Sequence, residues 1–415
     1  MNIKNLVLLG SFSALMLTAV SCSNDDDNNT PQEQTIAPYT VPATYTFTRE
    51  GATSVDYSGQ TARLLMLDEL GNYIKNAGTN GTVADKTILS EMYANKNARF
   101  ATASLNTSGK QLKDKTAASK DYFVLNQGGG SSAEQVAVRE VFENSFIDAQ
   151  AGTQGTTAAP GVAGVYLDGT SKRVFAANGM EPQQLLLKGM MGACLLDQIL
   201  NNYLSTNKLD EASNKDNNTK KVLEAGTKYT TMEHAWDEAY GYVYGADNLT
   251  VTPNVFKYWS TYINQVNADT DFNKTKAAIE LAFRTGRAAI LANDYAVRDA
   301  QIAIIKTNLS LIPAVRAVYY LQDGKAKLAA GDKGAKALHS LSEGYGFIMC
   351  LRYTNKPGTN NPYFTKAEVD AMLVKLLSGT NGLWDIDGLS PKLDELSTQI
   401  ATKFGFTVAQ ASKVN

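Results

Sequence analysis

The sequence contains little cysteine, little histidine and no excess of positive charge. Three cysteines, two histidines and three tryptophans occur in 415 residues, whereas tyrosine occurs 20 times. The formal net charge is −2, and no basic stripe is present, which argues against nucleic acid as a partner. Since 44% of the residues are hydrophobic, a chain of this length can build its core without a disulfide or a structural metal.

Several common catalytic signatures are also missing. The sequence has neither an H-E-x-x-H zincin helix nor a G-x-S-x-G nucleophile elbow, and it has no Walker loop or dinucleotide fingerprint. With two histidines in all, a Ser-His-Asp triad has little choice of base. These absences exclude the most familiar hydrolase and nucleotide-binding classes.

The amino terminus is typical of an exported lipoprotein. Lys4 is followed by an apolar run from Leu6 to Val20, which is too short to span a bilayer and indicates a signal peptide of residues 1–21. The small residues just before Cys22 resemble a bacterial lipobox, so we expect Cys22 to be acylated. The alternative is an ordinary secreted protein in which this cysteine occurs by chance.

An acidic, polar tether follows the cysteine. Residues 23–29 read SNDDDNN and resemble the signal by which some Gram-negative lipoproteins reach the outer face of the outer membrane. The alternative is a solvated linker that avoids retention in the inner membrane. We expect residues 22–45 to be a flexible tether and the protein to be a surface-exposed outer-membrane lipoprotein. The other two cysteines, Cys194 and Cys350, are predicted to be buried free thiols; a disulfide between them is the alternative.

Hydrophobic spacing predicts an all-α fold for residues 46–415, with long irregular loops. Two sub-bundles, residues 46–245 and 246–415, are an expected subdivision. We predict one short strand at Gly164–Leu167, inside a long loop at 151–179, and linkers at 103–132, 207–220 and 354–363. The predicted helices are 58–77, 134–150, 182–206, 254–267, 271–294, 296–323, 333–353, 365–377 and 390–404. Ser58 is expected to cap the first of these helices, and capping-box spacing occurs at Thr365 and at Thr407.

The two histidines lie in similar sequence surroundings. Residues 234–243 read HAWDEAYGYV and residues 339–348 read HSLSEGYGFI. Both segments place a glutamate four residues after the histidine, and then a tyrosine and a glycine. This recurrence predicts two pseudo-repeated halves, each of which contributes one helix with the same face.

Histidine and glutamate at this spacing lie on one helical face, about one turn apart. If folding brings the two helices together, they present two imidazoles and several carboxylates, a set suited to a divalent metal such as iron or zinc. The same set is suited to proton transfer. The alternative is that each pair is a hydrogen-bonded pair that fixes helix register, with the glycine allowing close helix packing.

Four segments resemble the imelysin-like superfamily, which was formerly grouped with M75 peptidases. They are residues 58–64, 233–242, 286–290 and 338–347. The closest match is a family of uncharacterised lipoproteins within it, described as a domain of unknown function. The resemblance implies two helical bundles with a site between them, and a link to iron uptake. The family signature G-x-H-x-x-E is only partly kept, because Met232 and Asp237 occupy its glycine and glutamate positions in the first segment, and Ala337 and Ser342 in the second.

The sequence therefore leads us to expect a surface or periplasm-facing lipoprotein that binds a metal or a metal-bearing ligand and serves uptake. An imelysin-type metallopeptidase and a non-catalytic scaffold for an outer-membrane protein are the alternatives. Tyr240 and Tyr345 are expected to line the site, and Arg63 and Arg287 to bind an anionic group or to form structural ion pairs. The candidate ligands are His234, Asp237, Glu238, His339 and Glu343.

Overall fold

A computed structural model describes residues 38–125 and 132–413. The predicted signal peptide, Cys22, most of the tether and the Gly128–Gly130 run lie outside these residues. The α-helices in the described part are α1 (Ser58–Asn80), α2 (Lys86–Tyr93), α3 (Ala103–Asn106), α4 (Ala133–Gly152), α5 (Pro182–Met190), α6 (Thr206–Leu209), α7 (Asn214–Thr219), α8 (Thr231–Tyr244), α9 (Trp259–Ala268), α10 (Thr275–Ala292), α11 (Tyr295–Ala329), α12 (Ala335–Cys350), α13 (Lys366–Leu376), α14 (Leu389–Phe404) and α15 (Val408–Ala411). The all-α prediction is confirmed.

Short elements of other kinds complete the fold. Two small antiparallel hairpins are formed by β1 (Thr48–Arg49) with β2 (Ala52–Thr53) and by β3 (Gly164–Asp168) with β4 (Ser171–Phe175). π-Helical stretches occur at Lys120–Leu125, Met191–Leu196 and Ile199–Tyr203. The last two continue α5, so the helix predicted over residues 182–206 is confirmed with an unexpected hydrogen-bond pattern.

Local capping chemistry explains where several helices begin and end. The predicted capping boxes form at Thr365 with Glu368 and at Thr407 with Gln410. The expected cap of α1 is wrong, because Ser58 is the first helical residue and its backbone N–H donates to Asp56 Oδ1 over 2.9 Å. Polar side chains and turn residues at helix ends therefore set the boundaries of helices whose interiors are apolar.

Helix α11 forms the centre of the core. It packs against α10 and α12, its neighbours in the chain, and also against α14, while α12 packs against α5. α11 is also long and apolar enough to cross a membrane, but two thirds (67%) of its most apolar window is buried inside the fold, as in the core helix of a globular domain. A second group consists of α8, packed against α1, α7 and α10.

Three predicted loops contain regular structure. Residues 151–179 contain the hairpin of β3 and β4, so the prediction of one lone strand was only half right. The predicted linkers at 103–132 and 207–220 contain α3 and α7.

Cys194 and Cys350 are buried free thiols, as predicted. Residues 38–125 and 132–413 lie within one compact unit; its division into pseudo-repeated sub-bundles stays a prediction.

Candidate functional site

The first histidine segment forms helix α8, which begins at a complete capping box. The Thr230 hydroxyl accepts from the backbone N–H of Glu233, and the Glu233 carboxylate accepts from the backbone N–H of Thr230 over 2.8 Å. The box fixes the first turn of the helix. As a result, His234 and Glu238 lie one turn apart on the same face, as the spacing predicts.

His234 is half-buried and stacks on a tyrosine. Its ring lies 4.5 Å from the Tyr229 ring at an angle of 13°, and its Nδ1 is buried without a hydrogen-bond partner. Asp56 lies nearby: burial raises the pKa of its carboxyl, but hydrogen bonds from Ser58 and the charge of His234 outweigh burial and lower it. An unpaired buried ring nitrogen is uncommon and leaves one ligand position of this imidazole open.

Asp237 belongs to a buried ion-pair network. Arg287 Nε donates to Asp237 Oδ1 over 2.9 Å, and both side chains are fully buried. Arg287 Nη1 also lies 3.5 Å from Glu233, which is paired in turn with Arg49 at 2.6 Å. Tyr45 donates to Asp237 over 2.6 Å. Burial raises the pKa of Asp237 to about 6, although Arg287 opposes the shift. Arg287 is thus engaged inside the protein.

Glu238 and Arg63 also have internal partners. Glu238 Oε1 accepts from Gln60 over 2.8 Å and from the Tyr203 hydroxyl over 3.1 Å. Arg63 is 4% exposed, and its Nε donates to the backbone carbonyl of Gln111 over 2.8 Å. These contacts connect α1 to the elements packed around it.

His339 lies at a different junction, between α12, the start of α5 and the hairpin of β3 and β4. Its Nδ1 is 2.6 Å from Glu181 Oε2 and 2.8 Å from Arg173 Nη1. Because Arg173 only donates and an ionised glutamate only accepts, one ring nitrogen satisfies one of them at a time. Nε2 lies 3.7 Å from Glu343, which is paired with Lys188 at 3.1 Å. Burial raises the pKa of Glu343, but the charges of Lys188 and His339 outweigh burial and lower it.

Tyr345 and Glu343, which belong to the same segment, have different neighbours. Burial, with a contribution from the charge of Asp370 on α13, raises the pKa of Tyr345 to about 12.

The two motif glycines have similar roles: a Cβ on Gly241 would lie 2.3 Å from Tyr57, and one on Gly346 would lie 2.4 Å from Lys188. Both glycines therefore permit the close helix packing expected of them.

The contacts of the two histidines have no residue in common among residues 38–125 and 132–413. In the same residues, no group of three or more histidine, cysteine, aspartate or glutamate side chains is arranged to hold a metal ion. The candidate ligands on α8 and those on α12 contact different neighbours. The structure thus gives two polar clusters, one centred on α8 and one on α12.

The side of α8 that carries Tyr240 and Tyr244 borders a pocket of about 430 Å³. We call it the tyrosine pocket. Its wall is formed by Ala43, Thr44, Tyr45, Tyr57, Tyr240, Tyr244, Asp247, Leu249, Asn254, Phe256, Ile263, Asn264, Lys276, Glu280 and Arg284. Tyr240 is the one residue of the expected site that lines it. The volume lies within the range of about 300–1,000 Å³ typical of small-ligand sites.

Aromatic rings form a continuous wall of the tyrosine pocket. Tyr45 stacks flat on Tyr240, with ring centroids 3.6 Å apart. Tyr57 and Tyr244 lie 5.6 Å and 4.9 Å from Tyr240 on other sides. The Tyr244 hydroxyl is buried and has no hydrogen-bond partner, and burial raises its pKa well above the ordinary value. It therefore stays protonated and retains an unused donor and acceptor.

Charged residues at the rim of the pocket are held by neighbours. Lys276 Nζ donates to Asn264 Oδ1 over 2.8 Å and lies 3.8 Å from Glu280. Arg284 Nη1 donates to two backbone carbonyls of the segment before β1, over 2.9 and 2.7 Å. Asp247 Oδ1 accepts from Ser260 over 2.5 Å. Sequence reasoning missed all of these residues except Tyr240. The repeat of tyrosines at 240 and 244, one helical turn apart, was the available signal.

A family described as a domain of unknown function, DUF4856, matches residues 42–407 of the chain. The chain belongs to this family. The match includes both histidine segments and every residue that lines the tyrosine pocket, so these features lie within the DUF4856 domain. Comparisons with curated proteins and with solved structures found no match. Membership of the wider imelysin-like superfamily stays a prediction.

Proposed function

We propose that this DUF4856 protein is an exported lipoprotein that binds a small ligand in the tyrosine pocket, without catalysis. The observation that carries the proposal is the pocket itself, an open concavity whose aromatic wall includes a buried, unpartnered tyrosine hydroxyl. Pockets that combine aromatic surface with a few polar groups are the usual form of small-molecule sites. Among the described residues that line it there is no histidine or cysteine, and Lys276, Arg284 and Asp247 are held by neighbours. This arrangement favours binding over chemistry.

A ligand screen tests this proposal. The full-length chain in detergent is heated with a panel of neutral saccharides, amino acids, nucleosides and small carboxylates, and the midpoint of unfolding is measured. A ligand that binds the folded state raises this midpoint. We expect at least one compound to do so for the wild type and less for Phe256→Ala, which lies in the pocket wall. The matched control is Leu167→Ala, an exposed residue of the hairpin. If no compound raises the midpoint, the proposal is wrong.

The lipid anchor is the second part of the proposal, and it is supported by residues 1–29. Cys22→Ser removes the thiol that would be acylated. We expect the variant to lose incorporation of a labelled fatty acid and to leave the membrane fraction, whereas Cys194→Ser, which changes a buried thiol, keeps both properties. Proteolysis of intact cells then tests whether the domain is surface-exposed. Membrane association and fatty-acid labelling that survive in Cys22→Ser would contradict the lipobox interpretation.

Metal binding is a second candidate function, and the unpartnered Nδ1 of His234 supports it. An imidazole nitrogen with an open lone pair is the commonest protein ligand for a transition metal. The nearby carboxylate of Asp56 adds a negative charge. The separate contacts of His339 argue that such a site would use the first histidine alone.

A further inference from the structure

The charges around the tyrosine pocket balance. Two cationic side chains, Lys276 and Arg284, and two carboxylates, Asp247 and Glu280, line the wall. The lysine, the arginine and Asp247 already have hydrogen-bond partners within the protein. A ligand with a full charge would lose its hydration without gaining an unpaired opposite charge, which is unfavourable. The pocket is therefore better suited to a neutral ligand than to a phosphate, a carboxylate or an amine.

The wall of the pocket also offers aromatic faces and a side chain that forms hydrogen bonds. The rings of Tyr57 and Phe256 line the cavity, and the faces of such rings carry partial negative charge that favours polarised C–H groups. Beside them, Asn254 presents an amide that can donate and accept hydrogen bonds. The amide of Asn264 is already bonded to Ser260 and Lys276. A wholly apolar ligand would bury the Asn254 amide without a partner, which is costly.

The buried hydroxyl of Tyr244 also favours a ligand that can form hydrogen bonds. It has no partner in the protein, and Tyr244 is one of the residues that line the pocket. A ligand hydroxyl can pair with it either as donor or as acceptor. A binding partner that carries several hydroxyl groups around a ring with C–H faces meets all of these conditions together.

We infer that the ligand of the tyrosine pocket is a neutral saccharide, either a single sugar or the end of an oligosaccharide. The inference rests on the proposed function, because it names the ligand class of the same pocket. The sugar ring packs on the tyrosine and phenylalanine faces, and its hydroxyl groups pair with Asn254 and Tyr244. Lys276 and Glu280 bound the site and exclude charged sugars that lack a complementary partner.

Calorimetric titration of the full-length chain with neutral mono- and oligosaccharides tests the inference. We expect binding by the wild type whose affinity is unchanged between low and high salt, because a neutral ligand is not screened. Asn254→Ala and Tyr244→Phe should each weaken binding by about 5- to 20-fold, the effect of one lost hydrogen bond. Their matched controls are Asn360→Ala, an exposed asparagine far along the chain, and Tyr258→Phe, whose buried hydroxyl is also unpartnered but does not line the pocket. Both controls should bind within about twofold of the wild type, since they remove no ligand contact.

The outcomes distinguish this inference from the proposed function. If a nucleoside, an amino acid or a carboxylate binds, and Asn254→Ala and Tyr244→Phe weaken it, the saccharide inference is wrong and the binding function of the pocket stands. If a saccharide binds the wild type and both variants equally well, its site lies elsewhere and the inference is wrong. If no compound of any class binds, both proposals fail. The unfolding midpoint of each variant is measured beside its affinity, so that a loss of folding is not read as a loss of binding.

Discussion

Arg287 on α10 and Asp237 on α8 are joined by a hydrogen bond of 2.9 Å, and neither side chain is exposed to solvent. The guanidinium also donates to the backbone carbonyl of Ser54 over 2.9 Å and lies over the ring of Phe47. One buried cation thus connects two helices to the extended segment that precedes α1. That segment also supplies Tyr45 to the pocket wall, so the network holds one side of the site in place.

Replacing Arg287 by methionine should destabilise the protein strongly. The variant leaves Asp237 buried without its cation, and Glu233 keeps only Arg49. Breaking a buried ion pair in this way costs about 3–5 kcal/mol, and urea unfolding measures the loss. The matched control is Lys220→Ala, which removes a pair with Asp216 in which both side chains are more than two thirds exposed and should change stability by no more than about 0.5 kcal/mol. Equal unfolding midpoints for the two variants would contradict the structural role of Arg287.

Asp197 should make a contribution to stability that falls as the pH rises from about 4 to 7. Burial raises the pKa of this carboxyl to about 7, although hydrogen bonds from Ser119 and Asn201 oppose the shift. In the unfolded chain the same group titrates near 3.8. Between these values the folded protein holds a proton that the unfolded chain has lost, so raising the pH favours unfolding.

Urea unfolding at several pH values tests this contribution in Asp197→Asn. The asparagine does not ionise, so we expect the difference in stability between the variant and the wild type to change in favour of the variant as the pH rises from 4 to 7. Asp216→Asn, an exposed control, should show no such trend. A constant difference between Asp197→Asn and the wild type across this range would show that Asp197 titrates normally in the folded state.

The helices were largely predictable from the sequence, because burial imposes apolar residues at helical spacing. The 35-residue helix α11 was predicted as 296–323 and forms Tyr295–Ala329. Helices that are short and polar give no such signal: α7 reads NKDNNT, a composition that predicts a linker. Its end is fixed by tertiary contacts, since Asn218 is buried and donates to the Ile290 carbonyl on α10 over 2.8 Å.

The candidate site was much less predictable, because its residues are brought together by tertiary packing. The repeated motif predicts that Tyr240 lines the site, and Tyr240 lines the pocket, although it lies on a different side of α8 from His234 and Glu238. The rest of the wall comes from segments far apart in the chain, such as Tyr45 and Lys276, and no spacing rule connects them. The resemblance of the two histidine segments also did not reveal that His234 stacks on Tyr229 whereas His339 is paired with Glu181.

Gly286 should be required for the packing of α10 against α8. A Cβ at this position would lie 2.1 Å from the ring of Trp236, whose Nε1 donates to the Phe283 carbonyl over 3.0 Å. Because Trp236 is fully buried, the ring has no space to move. We expect Gly286→Ala to lower stability by about 1–3 kcal/mol, measured by thermal or urea unfolding. Gly388→Ala is the matched control, since a Cβ there meets no atom within 4 Å. Similar stability for the two variants would show that α8 and α10 separate easily.

Metal analysis of the two histidine variants tests the second candidate function. Protein purified without chelator is analysed for iron and zinc by mass spectrometry. If the metal is held through the open Nδ1 of His234, His234→Ala loses it and His339→Ala retains it, because His339 is engaged with Glu181 and Arg173. The unfolding midpoint of each variant shows that the loss is local. Loss of metal from both variants would place the two histidines at one shared site, contrary to their separate contacts, and a wild type that carries neither metal would contradict the metal-binding hypothesis.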